Sequence, residues 1–114
     1  MIENKTRRTA LAIRQEYLMG DKVNKGLMFH KKIFDKGYIF VFPEEGKWLI
    51  HMFFVFFKLD ILWLDKNYKV VDLKKSALPF FIYGHKGLAK YVIEVEPNAI
   101  DNSKTRIGDS IKVT

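Results

Sequence analysis

The chain has no cysteine, so disulfides, thiolate metal ligands and a cysteine nucleophile are excluded from the start. Proline occurs only at positions 43, 79 and 97, and no stretch rich in proline, glycine or serine interrupts the 114 residues as a linker would. A chain of that length holds one hydrophobic core, so a single domain over residues 1–114 is expected, with the charged residues 1–8 as a frayed N-terminus. Long apolar runs are missing too. The longest, Trp48 to Phe57, is about half of what a membrane helix needs and is stopped by Lys58 and Asp60. Arg14, Glu16 and Asp21 break up the region where a signal-peptide core would form, so the expectation is a cytoplasmic protein with no membrane partner.

Acidic residues are in the minority, 13 against 20 Lys and Arg, which leaves a net charge of +7. Such a balance attracts polyanions, but charge counted over a whole sequence bears first on solubility and non-specific binding. What the chain holds in quantity is aromatic residues, ten Phe, five Tyr and two Trp, which suit a pleated, half-buried surface better than a helix.

The order of signals along the chain reads as strands. Residues 9–17 alternate loosely as a first strand, and Asp21 caps a short helix over Lys22 to Met28. Tyr38 to Phe42 is a strand closed by Pro43 and a polar turn at residues 44–47. Trp48 to Phe57 and Leu59 to Leu64 are apolar almost throughout and read as central strands covered on both faces. A turn at residues 65–68, with Asn67 left-handed, leads into an alternating strand from Lys69 to Lys74. Leu78 to Tyr83 reads as a short strand, and Tyr91 to Glu96 alternates strictly, which points Glu94 and Glu96 outward. Pro97 to Lys104 reads as a short helix before a final strand over Ser110 to Val113. The expected fold is therefore mainly β, a β-sandwich or partly closed barrel of about seven short strands with one or two short helices.

This series resembles the DUF192 family, a domain of unknown function, over roughly residues 10–114. Gly26-Leu27-Met28-Phe29 is similar to the family's G-L-M-[FY], and Gly37-Tyr38-Ile39-Phe40-Val41-Phe42 to its G-M-L-F-x-F strand. His51-Met52 followed by Leu59-Asp60-Ile61-Leu62-Trp63-Leu64-Asp65 resembles W-M-K-N-T and P-L-D-I-[LI]-F-[LI]-D, while Tyr91-Val92-Ile93-Glu94 and Gly108-Asp109 echo Y-V-L-E and G-D. The chain departs from the pattern where His51 stands for Trp, Phe53-Phe54-Val55 for the polar K-N-T, Lys58 for Pro, Lys22-Val23 for Glu-Arg, and His30 for an Arg. The resemblance implies a compact, mainly-β, sandwich-like fold and supplies no established activity.

Chemistry-bearing residues are scattered. His30, His51 and His85 share no H-x-x-x-H or H-x-H spacing, so neither a metal nor a cofactor is expected; His30 and His85 read as exposed. Ser76, Ser103 and Ser110 lie in no nucleophile elbow. Asp60, inside an apolar strand, reads first as a structural carboxylate that satisfies backbone N–H groups; the functional alternative is an acid/base couple with His51. A candidate pocket then comprises Met28, His30, His51, Met52 and Asp60. Phe53, Phe54, Val55, Phe56 and Phe57, taken as a strand, put apolar groups on both faces, so one face would be free for self-association as a two-fold homodimer. The same aromatics, with Trp48 and Trp63 beside Lys31, Lys32, Lys58 and Lys66, could stack nucleic-acid bases, although core packing is their first reading. The leading function is a non-enzymatic binding or accessory domain whose partner docks on an apolar surface or a barrel-end pocket. A basic nucleic-acid-binding module is second, and a hydrolase using His51 and Asp60 third.

Overall fold

Leu59–Leu64 is buried at all six of its positions, which a strand achieves only inside a sheet covered on both faces. The computed structural model describes residues 1–19 and 35–114, and in it this run is β6 of a five-stranded sheet with the order β3-β4-β9-β6-β7. The other members are β3 (Arg14–Leu18), β4 (Lys36–Gly46), β7 (Val70–Ala77) and β9 (Ala89–Val95). Strands β3 and β4 run parallel and the remaining pairs antiparallel. A three-stranded sheet, β10-β1-β2, is built from β1 (Ile2–Asn4), β2 (Thr9–Ala12) and β10 (Ile111–Val113). The two short strands β5 (Ile50–His51) and β8 (Ile82–Tyr83) pair on their own, and the described residues contain one helix, α1 (Ala99–Ser103). The protein is thus mainly β, with its strands shared among several sheets and no closed barrel among the described residues.

Period-two alternation divides the interior in two. Phe40, Ile61, Trp63 and Val92 point to one side of the large sheet, where Ile50, Met52, Val55 and Ala77 meet them. Ile39, Leu62, Leu64, Ile93 and Val95 point to the other, where Ile2, Leu11 and Ile111 of the small sheet and Ile100 of α1 close over them. Gly37 lies at a close approach of the large and small sheets. A Cβ there would meet the Ile2 Cδ1 atom head-on and come within 3.1 Å of Val95 and 3.3 Å of Ala12. Gly37→Ala is expected to cost about 1–3 kcal/mol by overpacking, read as a shift of the denaturation midpoint at unchanged slope.

Several elements differ from the sequence reading. Residues 1–8 are not frayed: Ile2 and Asn4 are fully buried, and β1 is the central strand of its sheet. The first strand is two, because the chain bends at Ile13 and moves from the small sheet to the large one. Trp48 to Phe57 is not a strand; only Ile50–His51 pairs, and a turn at Phe53-Phe54 follows. The left-handed residue of the β6–β7 hairpin is Tyr68, not Asn67. Glu94 is buried rather than outward, since both faces of β9 are covered. The helix expected over Lys22 to Met28 lies outside the described residues.

Candidate functional site

The buried polar groups are mostly occupied with holding the fold. Asp60 in β6 accepts the Ser76 N–H at 2.8 Å through Oδ1 and the Ile100 N–H at 3.0 Å through Oδ2. Ile100 sits in the first turn of α1, whose Asn98 cap makes no side-chain hydrogen bond, so Asp60 supplies from β6 an acceptor the helix lacks locally. Both carboxylate oxygens are thereby committed to backbone. His51, half-buried in β5, accepts the Phe53 N–H at 3.3 Å through Nδ1, and its ring stacks on Phe53 with centroids 5.3 Å apart. Met52 is fully buried between the two loops that flank β5 and β8. Of the candidate pocket, Met28 and His30 lie outside the described residues. The structure does not join His51 and Asp60 by a hydrogen bond.

His85, read as exposed, is a half-buried wedge. Its ring stacks on Trp63 at 5.4 Å, Nε2 accepts the Trp48 N–H at 3.0 Å, and Nδ1 lies 3.0 Å from the Lys86 carbonyl. Among the described residues no cluster of His, Asp and Glu has the geometry of a metal site. An open depression of about 390 Å³ lined by Lys5, Tyr68, Ile111, Lys112 and Val113 carries neither a carboxylate nor a histidine.

The surface feature that stands apart is aromatic. Phe53 and Phe54 form the turn after β5, and Pro79-Phe80 forms the turn before β8. Phe54 and Phe80 both take positive φ, 56° and 66°, the left-handed region that β-strands exclude. Backbone hydrogen bonds stitch the two turns through one residue: the Met52 N–H donates to the Phe81 carbonyl and the Phe80 N–H to the Met52 carbonyl, each at 2.7 Å. Val55 is thereby drawn into the core and Phe57 half-buried against it. The rings of Phe53, Phe54, Phe56, Phe80 and Phe81 remain outside, with Phe56 61% and Phe81 56% exposed. Phe80 meets Phe54 edge-on at 6.2 Å and Phe56 at 5.7 Å, so the two loops present one aromatic platform. Leu49, Leu78 and Ile82, from the same two segments, are exposed as well.

The self-association patch anticipated over Phe53 to Phe57 is therefore a loop surface and not a strand with alternating faces. Phe53, Phe54 and Phe56 share the exposed side, and the second half of the platform comes from residues 78–82, which the sequence reading did not connect with it. The available signal was the pair Phe80-Phe81 directly after Pro79, which the expectation of a short strand over Leu78 to Tyr83 absorbed.

A model of the DUF192 family, described as Uncharacterized ACR, matches residues 5–113. A UPF0127 protein of Thermococcus sibiricus is 39% identical over 89 residues, 76% of this chain and 56% of that protein. A UPF0127 protein of Pyrococcus horikoshii is 36% identical over 89 residues, 76% of this chain and 75% of that one. The chain thus spans little more than half the length of the first of these curated relatives. Two crystal structures share the fold with a TM-score of 0.81 at 20% identity. One is of a Sinorhizobium meliloti protein provisionally described as a transcription regulator, over 86% of this chain and 79% of that one. The other is of a Novosphingobium aromaticivorans protein of unknown function, over 87% of this chain and 74% of that one. No described helix is long and apolar enough to cross a membrane.

Proposed function

The chain belongs to the DUF192 family, which brings no assigned activity, and on the geometry of its surface we propose that it is a non-enzymatic binding domain whose partner docks on the aromatic platform. One observation carries this reading: Phe54 and Phe56 from one loop converge with Phe80 from the other outside the core, with Phe53 and Phe81 exposed on the same two loops, an apolar surface of the kind found at interaction sites. The commitment of Asp60 to two backbone amides argues against the hydrolase reading, because a carboxylate so held is poorly placed to take a proton from His51.

Removing two of the rings separates a docking surface from a structural one. Asparagine tolerates the left-handed backbone at positions 54 and 80, so Phe54→Asn and Phe80→Asn delete the rings without forcing the turns open. The double variant is expected to unfold within about 0.5 kcal/mol of the wild-type protein in urea. A loss above about 2 kcal/mol would mean that the rings serve the core, and the reading would fall.

A further inference from the structure

The two segments that build the platform, residues 46–59 and 73–91, contain six lysines (Lys47, Lys58, Lys74, Lys75, Lys86 and Lys90) and not one Asp or Glu. Lys75 is paired with Asp101, and Lys90 donates to the Phe42 carbonyl. Lys58, Lys74 and Lys86 are exposed and make no ion pair among the described residues. Lys58 follows Phe57 directly, and the Lys74 Nζ lies 5.5 Å from the centre of the Tyr83 ring, which itself stacks on Phe81. The platform is therefore an apolar tip with Lys58 and Lys74 beside it, while Lys86 lies further along the second segment, where its backbone N–H donates to the Asp72 carboxylate at 2.8 Å.

That combination selects its occupant. A second copy would bring its own Lys58 and Lys74 against these, and like charges across an interface are penalised. Single-stranded nucleic acid matches the charge, but stacking platforms present open ring faces with arginine beside them. Here Phe80 meets Phe54 and Phe56 edge-on, the companions are Leu49, Leu78 and Ile82, and neither segment contains an arginine. An anionic bilayer meets both demands, with negative charge at the headgroups and hydrocarbon beneath.

We propose that the platform docks on an anionic lipid surface, the phenylalanine rings entering the boundary between headgroups and acyl chains while Lys58 and Lys74 lie against the headgroup charge. The inference rests on the binding-domain reading above and reverses the expectation, drawn from the lack of an apolar span, that no membrane is involved; docking at a surface needs no span.

The test is sedimentation of the full chain with phosphatidylcholine vesicles containing phosphatidylserine at about 30 mol%. Wild-type protein is expected to pellet, to be released as salt rises from about 0.1 to about 0.5 M, and to lose about fivefold in partitioning on Lys58→Gln. The folded Phe54→Asn, Phe80→Asn variant is expected to stay in solution, and Phe56→Ser with Phe81→Ser, carrying no change at a left-handed position, is run beside it. Wild-type protein that remains in solution while both double variants are folded overturns the lipid proposal and leaves the docking reading standing. Equal pelleting of wild type and variants overturns it as well, since lysines alone would then account for binding. Ring-dependent binding of single-stranded RNA without vesicle binding transfers the platform to nucleic acid. Unfolding of both double variants sinks the docking reading itself, and the lipid proposal with it.

Discussion

Between pH 4.5 and pH 8 the protein is expected to lose stability steadily, and Glu94→Gln is expected to abolish most of that loss. Glu94 is 3% exposed on β9, opposite Tyr38 of β4 and Ile61 of β6, and its Oε2 atom has no hydrogen-bond partner among the described residues. Burial pushes its carboxyl from 4.5 up to about 8. The direction follows from proton counting. The unfolded chain releases this proton near pH 4.5 and the folded protein keeps it to about pH 8, so between the two the unfolded state binds fewer protons and is favoured as pH rises. The slope is about 1.4 kcal/mol per pH unit, roughly 4–5 kcal/mol across the window. For a domain whose total stability is on the order of 5–15 kcal/mol, that is a dominant effect. Urea midpoints measured at half-unit steps should fall for the wild type and stay nearly flat for the glutamine variant, whose side chain has no proton to lose. Parallel profiles for the two proteins would show that Glu94 is not the titrating group.

The reason Glu94 is buried also shows where reading the sequence stops. Tyr91-Val92-Ile93-Glu94-Val95-Glu96 alternates, and the alternation is real: Ile93 and Val95 enter one core layer and Val92 the other. Alternation distinguishes two faces but does not say that one of them is wet, and β9 lies between β4 and β6 with both faces covered. β6 was legible because Leu59 to Leu64 is a short run apolar at five of its six positions, although the same reading failed at Trp48 to Phe57. The DUF192 resemblance was legible for a different reason, since it rests on the order of several short motifs and not on the geometry of any one.

The platform was legible only in part. Phe53 to Phe57 has the composition of a core strand, and nothing local announces a turn: Phe54 has neither Gly nor Asn at the left-handed position. The turn is imposed by the Met52 backbone bonding to Phe80 and Phe81, almost thirty positions away in the chain. The role of Asp60 could be read as structural, but its partners on β7 and α1 could not be named, because each depends on the register of another element. The N-terminus was misread on the same grounds, since Thr6-Arg7-Arg8 looks like a solvated tail until Asp109 is brought beside it.

Asp109→Ala is accordingly expected to be among the most destabilising single changes away from the apolar core, at about 3 kcal/mol. The carboxylate is 4% exposed and gathers three parts of the chain. Its Oδ2 accepts from the Asn4 amide at 3.0 Å, the Arg7 Nε at 3.0 Å and the Arg106 N–H at 2.9 Å, while Oδ1 accepts from a second Arg7 nitrogen at 3.2 Å. Asn4 is fully buried and also donates to Thr105, so deleting the carboxylate leaves an interior amide short of an acceptor and the guanidinium without its counter-charge. Burial alone would raise the Asp109 carboxyl, but the hydrogen bonds from Arg7, Asn4 and Arg106 outweigh it and hold the group below its ordinary 3.8. A depressed carboxyl contributes stability that is present above pH 3.8 and is lost as pH falls through the lower folded value, the reverse of Glu94. With both groups in place, stability should peak near pH 4–5 and decline on either side. The alanine variant should lose the acid limb of that profile while keeping the decline toward pH 8, and Asp109→Asn, which retains shape but not the titrating group, should lose that limb as well and lie between the two in overall stability. Lys75→Ala is the control: its pair with Asp101 is shorter, at 2.6 Å, but more than half exposed on both sides, and breaking it should cost under about 1 kcal/mol. If Asp109→Ala costs no more than Lys75→Ala, the cluster at the end of β1 does not hold the small sheet to the rest of the fold.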